Sequence, residues 1–146
     1  MTARDFFIMS DTPLNIPNCF YRVSIKALIL DEEGRFLLLR EADGRWSFPG
    51  GGYDHADTSA REALIREIRE ELNVEVLDIE ERPSYFVVAV SAYGYPQANI
   101  FYKTTLKNLD FTPNEECEEI GFFTPEQALG LPAFAHVPEF CKHYKI

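Results

Sequence analysis

Cysteine, basic residues and long apolar runs are all scarce in this chain. Three cysteines occur in 146 residues, Cys19, Cys117 and Cys141, an odd and widely spaced set that argues against a disulfide framework and against a zinc site. A reducing, cytoplasmic setting is expected. No stretch approaches the ~20 apolar residues of a membrane span. The short run Phe6-Phe7-Ile8-Met9 follows Asp5 and is too brief for the core of a secretory leader. Lysine and arginine number 14 against 24 Asp and Glu, leaving a net charge of -10. Nonspecific contact with nucleic-acid phosphates needs clustered cations, so neither a nucleic acid nor a membrane is expected as a partner. An anionic phosphate substrate would need metal ions to mediate its charge.

What is present suits one globular domain over residues 1–146. The hydrophobic fraction is 46% and the aromatic fraction 14%, and a chain of this size buries ~70% of the surface that its unfolded form exposes. Alternating and β-branched runs predict strands at residues 21–30, 35–40, 46–48, 74–81, 84–92, 100–106 and 119–123. The turn Asp31-Glu32-Glu33-Gly34 joins the first two. A helix is expected over 59–72, with short helices near 125–129 and from Val137 onward. His136 and His143 are expected on the surface of that last helix. Strands flanking a central helix, some of them antiparallel, indicate an α/β fold with a mixed sheet and helices on its faces.

The most informative segment is Arg66-Glu67-Ile68-Arg69-Glu70-Glu71-Leu72-Asn73-Val74. Residues three and four apart are neighbours on a helix, so Glu67, Glu70 and Glu71 form one acidic cluster. Like charges at that spacing repel, by roughly 0.2–0.5 kcal/mol per pair. A hard divalent cation reverses the sign, because Mg2+ takes oxygen ligands and completes its sphere with water and substrate phosphates. Leu64, Ile68 and Leu72, with Ala63 and Ile65 beside them, form a separate apolar stripe, which leaves the acidic face free to point outward. A solvated face of Glu and Arg pairs is the ordinary reading of such a helix, since Glu62, Arg66 and Glu70 are spaced by four.

The upstream sequence changes that reading. Trp46-Ser47-Phe48-Pro49-Gly50-Gly51-Gly52 is an apolar run ending in glycines, which let a ligand approach the main chain. From Gly52 the order is five residues, Thr58, seven residues, and then the segment above. This strongly resembles the Nudix box: Gly, five residues, Glu, seven residues, Arg-Glu, an aliphatic, any residue, Glu-Glu, any residue, Gly and an aliphatic. Gly52, Arg66, Glu67, Ile68, Glu70, Glu71 and Val74 match at the family spacing. Asn73 stands at the box glycine, and Asn is the next choice for a left-handed helix cap. Thr58 stands at the first box glutamate and cannot act as a carboxylate. Adjacent Asp57 is the candidate to supply that acid, although Asp57, Thr58 and Ser59 are all good N-caps and Ser59 to Glu62 fits a capping box.

The resemblance implies a three-layer alpha/beta/alpha sandwich with a mixed sheet, and hydrolysis of a nucleoside diphosphate linked to another group. Glu67, Glu70 and Glu71 would hold Mg2+, with Mn2+ as the alternative, and Arg66 would orient the carboxylates. Gly51 and Gly52 would bring the main chain close to the ligand. A further carboxylate is expected from the acidic run Glu115-Glu116-Cys117-Glu118-Glu119, with Glu116 favoured over Glu115. The substrate is expected to be a small nucleotide-type molecule, and a homodimer is left open. Tyr85, Phe86, Tyr93, Tyr95, Phe101 and Tyr102 could supply a ring for base stacking, although core packing is the commoner role of such residues. The rival reading is a catalytically weak ligand-binding or interaction module, because Thr58 loses a box residue.

Overall fold

The computed structural model describes residues 19–146, so the reading of Phe6 to Met9 lies outside the described residues. Strands β1 (Arg22–Leu28), β2 (Phe36–Arg40), β3 (Trp46–Ser47) and β4 (Gly50–Gly52) precede helix α1 (Ala60–Leu72). Strands β5 (Val76–Ile79), β6 (Tyr85–Val90), β7 (Pro96–Leu106) and β8 (Glu119–Phe123) follow, and then helices α2 (Pro125–Ala128) and α3 (His136–Cys141). The glycine strand β4 has no counterpart in the sequence reading, because glycine is depleted in strands. Its pairing with Ser24, Ile25 and Lys26 of β1 supplies the ladder instead. β7 begins at Pro96, four residues before its expected start, and proline is tolerated at the first position of a strand.

The strands form two sheets rather than one. A five-stranded mixed sheet runs β4-β1-β7-β5, with β6 also pairing β7. Its β1–β7 pair is parallel and its other pairs are antiparallel. β3, β2 and β8 form a smaller antiparallel sheet. The strand period of two sends alternate residues to opposite faces, where two cores lie. Ile25, Ala27, Leu37 and Leu39 pack with Leu64, Ile68 and Leu72 of α1. Leu28, Phe36, Leu38, Phe48 and Phe101 pack with Ala128 of α2 and with Val137 and Phe140 of α3. Helices thus cover both faces, giving the alpha/beta/alpha sandwich with mixed pairing. The second core is largely aromatic: Phe140 stands 4.7 Å from Phe48 and 4.7 Å from Phe101, centroid to centroid. No helix among the described residues is long and apolar enough to cross a membrane.

The ends of α1 follow from local chemistry. Ser59 is the N-cap and accepts from the Glu62 backbone N–H at 3.1 Å. Asn73 takes the left-handed conformation (φ 54°) expected of it, donating its N–H to the Arg69 and Ile68 carbonyls. The three cysteines are free, with Cys117 buried.

Candidate active site

The edge of β4 is where α1 meets the sheet. The Gly50 N–H donates to Glu71 Oε1 at 2.7 Å, and the Glu67 carboxylate lies where a side chain on Gly51 would stand, its Cδ 2.5 Å from that Cβ position. Two helix carboxylates therefore pass the strand edge because glycines form it. They enter a cleft of about 280 Å3 whose wall also includes Arg22, Ser24, Lys26, Glu41, Ser47, Gly51, Gly52, Gln97, Glu116 and His136.

This corrects the expectation of an outward-facing acidic cluster. Glu71 is 7% exposed and belongs to the buried side of α1. The three glutamates have three environments: Glu71 buried, Glu67 half-buried, and Glu70 exposed beside Arg66 and outside the cleft wall. Burial pushes the Glu71 carboxyl well above the usual carboxylate range, with Lys26 and the Gly50 N–H opposing it. Burial raises Glu67 as well, against the pull of Arg66. Glu41 is raised by burial and by Asp43.

Arg66 organises the entrance to the cleft. Its Nε and Nη2 donate to the two carboxylate oxygens of Asp57, each at 3.1 Å. Nη1 donates to Glu67 at 3.0 Å and reaches Glu70 at 3.5 Å, and Nη2 lies 3.5 Å from the Gly52 carbonyl. Asp57 is thus gripped in a bidentate fork, the geometry in which arginine binds carboxylates best. The guanidinium holds Asp57 below the usual carboxylate range. Thr58 is exposed, and Ser59, not Thr58, caps the helix. Asp57→Asn is expected to lower turnover at least ~10-fold by loosening Arg66, as loss of a supporting partner does. Thr58→Ala should change stability by no more than ~0.5 kcal/mol, the usual range for an exposed site, rather than by the larger cost of a lost cap. Steady-state kinetics and thermal melts on both variants check this, and equal activities would leave the first box position without a chemical role.

Several cleft residues escaped the sequence reading. Arg22, Ser24 and Lys26 alternate along β1, and the parallel register sets Arg22 against Gln97 and Ser24 against Asn99. Polar alternation was the available signal, but it ordinarily marks a solvent face. Burial pushes the Lys26 ammonium below the usual lysine range, and Glu71, Glu67 and Glu41 pull it back. Asn99 is fully buried, and its Oδ1 has no hydrogen-bond partner. His136 corrects another expectation: it is 4% exposed rather than on the surface. Its Nε2 accepts from the Phe48 N–H at 3.2 Å, which keeps the ring neutral with its proton on Nδ1. Burial, reinforced by Lys26, holds its pKa well below the ordinary histidine value. His143 lies beyond α3 and is exposed.

The acidic loop before β8 is folded by Asn114. Its Oδ1 accepts from the N–H groups of Glu116 and Cys117, and its Nδ2 donates to the Glu71 carbonyl at 3.0 Å. This clasp ties the loop to the end of α1 and sets Glu116 on the cleft wall, which does not include Glu115. Glu118 and Glu119 instead pair with Arg40, each at 3.1 Å.

A family model described as NUDIX domain matches residues 20–142. The chain belongs to the Nudix hydrolase family. It is 38% identical over 128 residues to the CTP pyrophosphohydrolase of Escherichia coli, covering 80% of this chain and 87% of that protein. It is 32% identical over 120 residues to the isopentenyl-diphosphate Delta-isomerase of Clavibacter michiganensis subsp. michiganensis, covering 75% of this chain and 60% of that one. Among solved structures, the MutT protein from Methanosarcina mazei superposes with a TM-score of 0.64 at 26% identity, covering 86% and 93% of the two chains.

Proposed function

We propose that this chain, as one Nudix domain, hydrolyses a phosphoanhydride bond in a nucleoside di- or triphosphate derivative with the help of a divalent cation, Mg2+ or Mn2+. One observation carries the reading: Glu41, Glu67, Glu71 and Glu116, from three chain segments, line one cleft together with Lys26 and Arg22. The relative named a CTP pyrophosphohydrolase, which shares 38% identity, supports the substrate class.

The donor set fits a hard cation. It consists of carboxylate oxygens, and burial raises the pKa of Glu41, Glu67 and Glu71, so a positive charge among them relieves a real cost. Among the described residues no three acidic, histidine or cysteine side chains converge as a ready-made metal cluster. Glu67 and Glu71 would hold the cation, with Glu70 turning in from the rim. The cation would neutralise the diphosphate and acidify a bound water. Arg22 and Lys26 place positive charge on the floor against phosphate oxygens, and the Arg66 fork keeps Glu67 in position.

Glu116 receives the proton of the attacking water, because it faces the helix carboxylates from another element. Glu116→Gln is expected to lower kcat at least ~10-fold with KM nearly unaltered, the pattern of an interaction made chiefly in the transition state. Unaltered kcat in the Glu115, Glu116 double Gln variant would transfer the role elsewhere, with Glu41 next in line. The reading as a whole is tested by a panel of nucleoside triphosphates, nucleotide sugars, ADP-ribose and dinucleoside polyphosphates, following phosphate and pyrophosphate release with Mg2+ or Mn2+. Release that needs the metal supports it. Binding without turnover across the panel would make the chain a ligand-binding module instead.

A further inference from the structure

We infer that two copies of this chain associate through β6, whose free edges pair antiparallel about a two-fold axis at Val88 and join the two five-stranded sheets into one. β5 and β6 share one side of β7, β6 lying against residues 96–101 and β5 against 104–106. Among the described residues β6 pairs with no strand but β7, so its far side is an open edge. Edge strands ordinarily resist such pairing by a charge, a proline, a bulge or very short length. β6 has none of these. It reads Tyr85-Phe86-Val87-Val88-Ala89-Val90, aromatic or β-branched but for Ala89, in a chain of which 26% is charged. The other open edge of the same side is defended: β5 has four residues, carries Asp78, shifts register between Val76 and Asp78, and is flanked by Glu75 and Glu80.

The ladder decides which main-chain groups face that edge. The Ser91 N–H donates to the Tyr95 carbonyl at 2.9 Å, and the register continues with Ala89 against Gln97 and Val87 against Asn99. Bonded and non-bonded pairs alternate along an antiparallel ladder, so Val87, Ala89 and Ser91 spend their main-chain groups on β7. Those of Phe86, Val88 and Val90 point away from it. The same three residues are 64%, 43% and 60% exposed, while Val87 and Ala89 are buried. With the axis at Val88, that residue meets its own copy and Phe86 meets Val90 of the partner subunit, each pair exchanging two hydrogen bonds. Only this axis pairs all three with one another, and aromatic with β-branched is a favourable cross-strand match. The three side chains leave about 300 Å2 open per copy, and the paired backbone edges bring the total toward the ~1,000 Å2 at which specific interfaces begin. The association is therefore weak, and each copy's net charge of -10 opposes it until salt screens the repulsion.

Sedimentation equilibrium of the full chain, from about 1 to about 200 μM at low and high salt, tests this. Wild type should pass from monomer to dimer across that range, at lower concentration in the higher salt. Val88→Lys sets like charges against each other on the axis and should stay monomeric throughout. Val88 is exposed and outside the cleft, so this variant should keep its melting temperature. In a Cys19→Ser background, Val88→Cys should form a covalent dimer on mild oxidation, because bonded partners stand about 5.5 Å apart between Cα atoms, within reach of a disulfide. Leu77→Cys, at an exposed position on β5, should form far less. A wild type that is monomeric at every concentration overturns the inference, as does a folded Val88→Lys variant that associates like wild type. Equal cross-linking at positions 77 and 88 also overturns it. A dimer seen only after residues 1–18 are removed assigns the edge to the chain itself, and overturns the inference in the same way.

Discussion

Glu71→Gln is expected to lose at least ~100-fold in kcat, the scale of removing one electrostatic stabiliser from an active site. Its fold should survive. The amide oxygen can still accept from the Gly50 N–H at 2.7 Å, and the substitution removes a carboxylate that burial already disfavours as an anion. The pH dependence has a definite sign. A carboxyl whose folded pKa is raised contributes stability fully below its unfolded pKa, and that contribution is lost as pH rises through the folded value. Glutamine does not titrate, so without metal the variant's melting temperature should gain on wild type as pH climbs above the usual carboxylate range. Neutralising Glu71 also removes the main partner pulling the buried Lys26 ammonium back toward its usual range, which limits that gain. Adding Mg2+ should raise the wild-type melting temperature, as any ligand of the native state does. The variant should respond less. A variant that keeps its turnover and its metal response would remove Glu71 from the site.

Gly50→Ala is expected to be the most destabilising single change, costing at least ~2 kcal/mol. Gly50 has φ 129°, where an L side chain is strained, and a Cβ there would run into the Ile25 carbonyl oxygen and come within 2.9 Å of the Lys26 Cα. Both obstacles are backbone of β1, so no side chain can turn away to relieve them. A drop of ~4–8 °C in melting temperature should follow. Gly51→Ala makes the contrast. The atoms nearest its Cβ would be those of the Glu67 carboxylate, with Cδ at 2.5 Å, and that is the end of a flexible side chain. The fold should hold while Glu67 swings out of place and activity falls. Equal melting curves for Gly50→Ala and wild type would refute the strain assigned to β4.

Periodicity and local chemistry made much of this protein legible from its sequence. The stripe at Leu64, Ile68 and Leu72, the left-handed cap at Asn73 and the acidic box residues each depend on neighbours within one or two helical turns, and short-range rules describe such relations well. The strand 119–123 and the turn at Asp31 to Gly34 belong to the same class. Asp57 could be nominated because it is next to Thr58, but its bidentate grip by Arg66 needed the loop to fold back nine residues along the chain.

Only the tertiary structure decided which polar residues are buried, and with what. Ser24 and Lys26 read as an ordinary solvent-facing alternation until β1 pairs with β7 and lays them on a cleft floor beside Gln97. Two residues further along, the same sheet face becomes core at Leu28. His136 is carried into the site by an aromatic core assembled from β2, β7 and α3. Glu41 and Glu116 reach it from loops 75 residues apart, one of them tied down by Asn114. Sequence sets the period and the chemical type of each side chain, because those depend on near neighbours. Burial and convergence depend on contacts between distant segments, and those exist only once the two cores have closed.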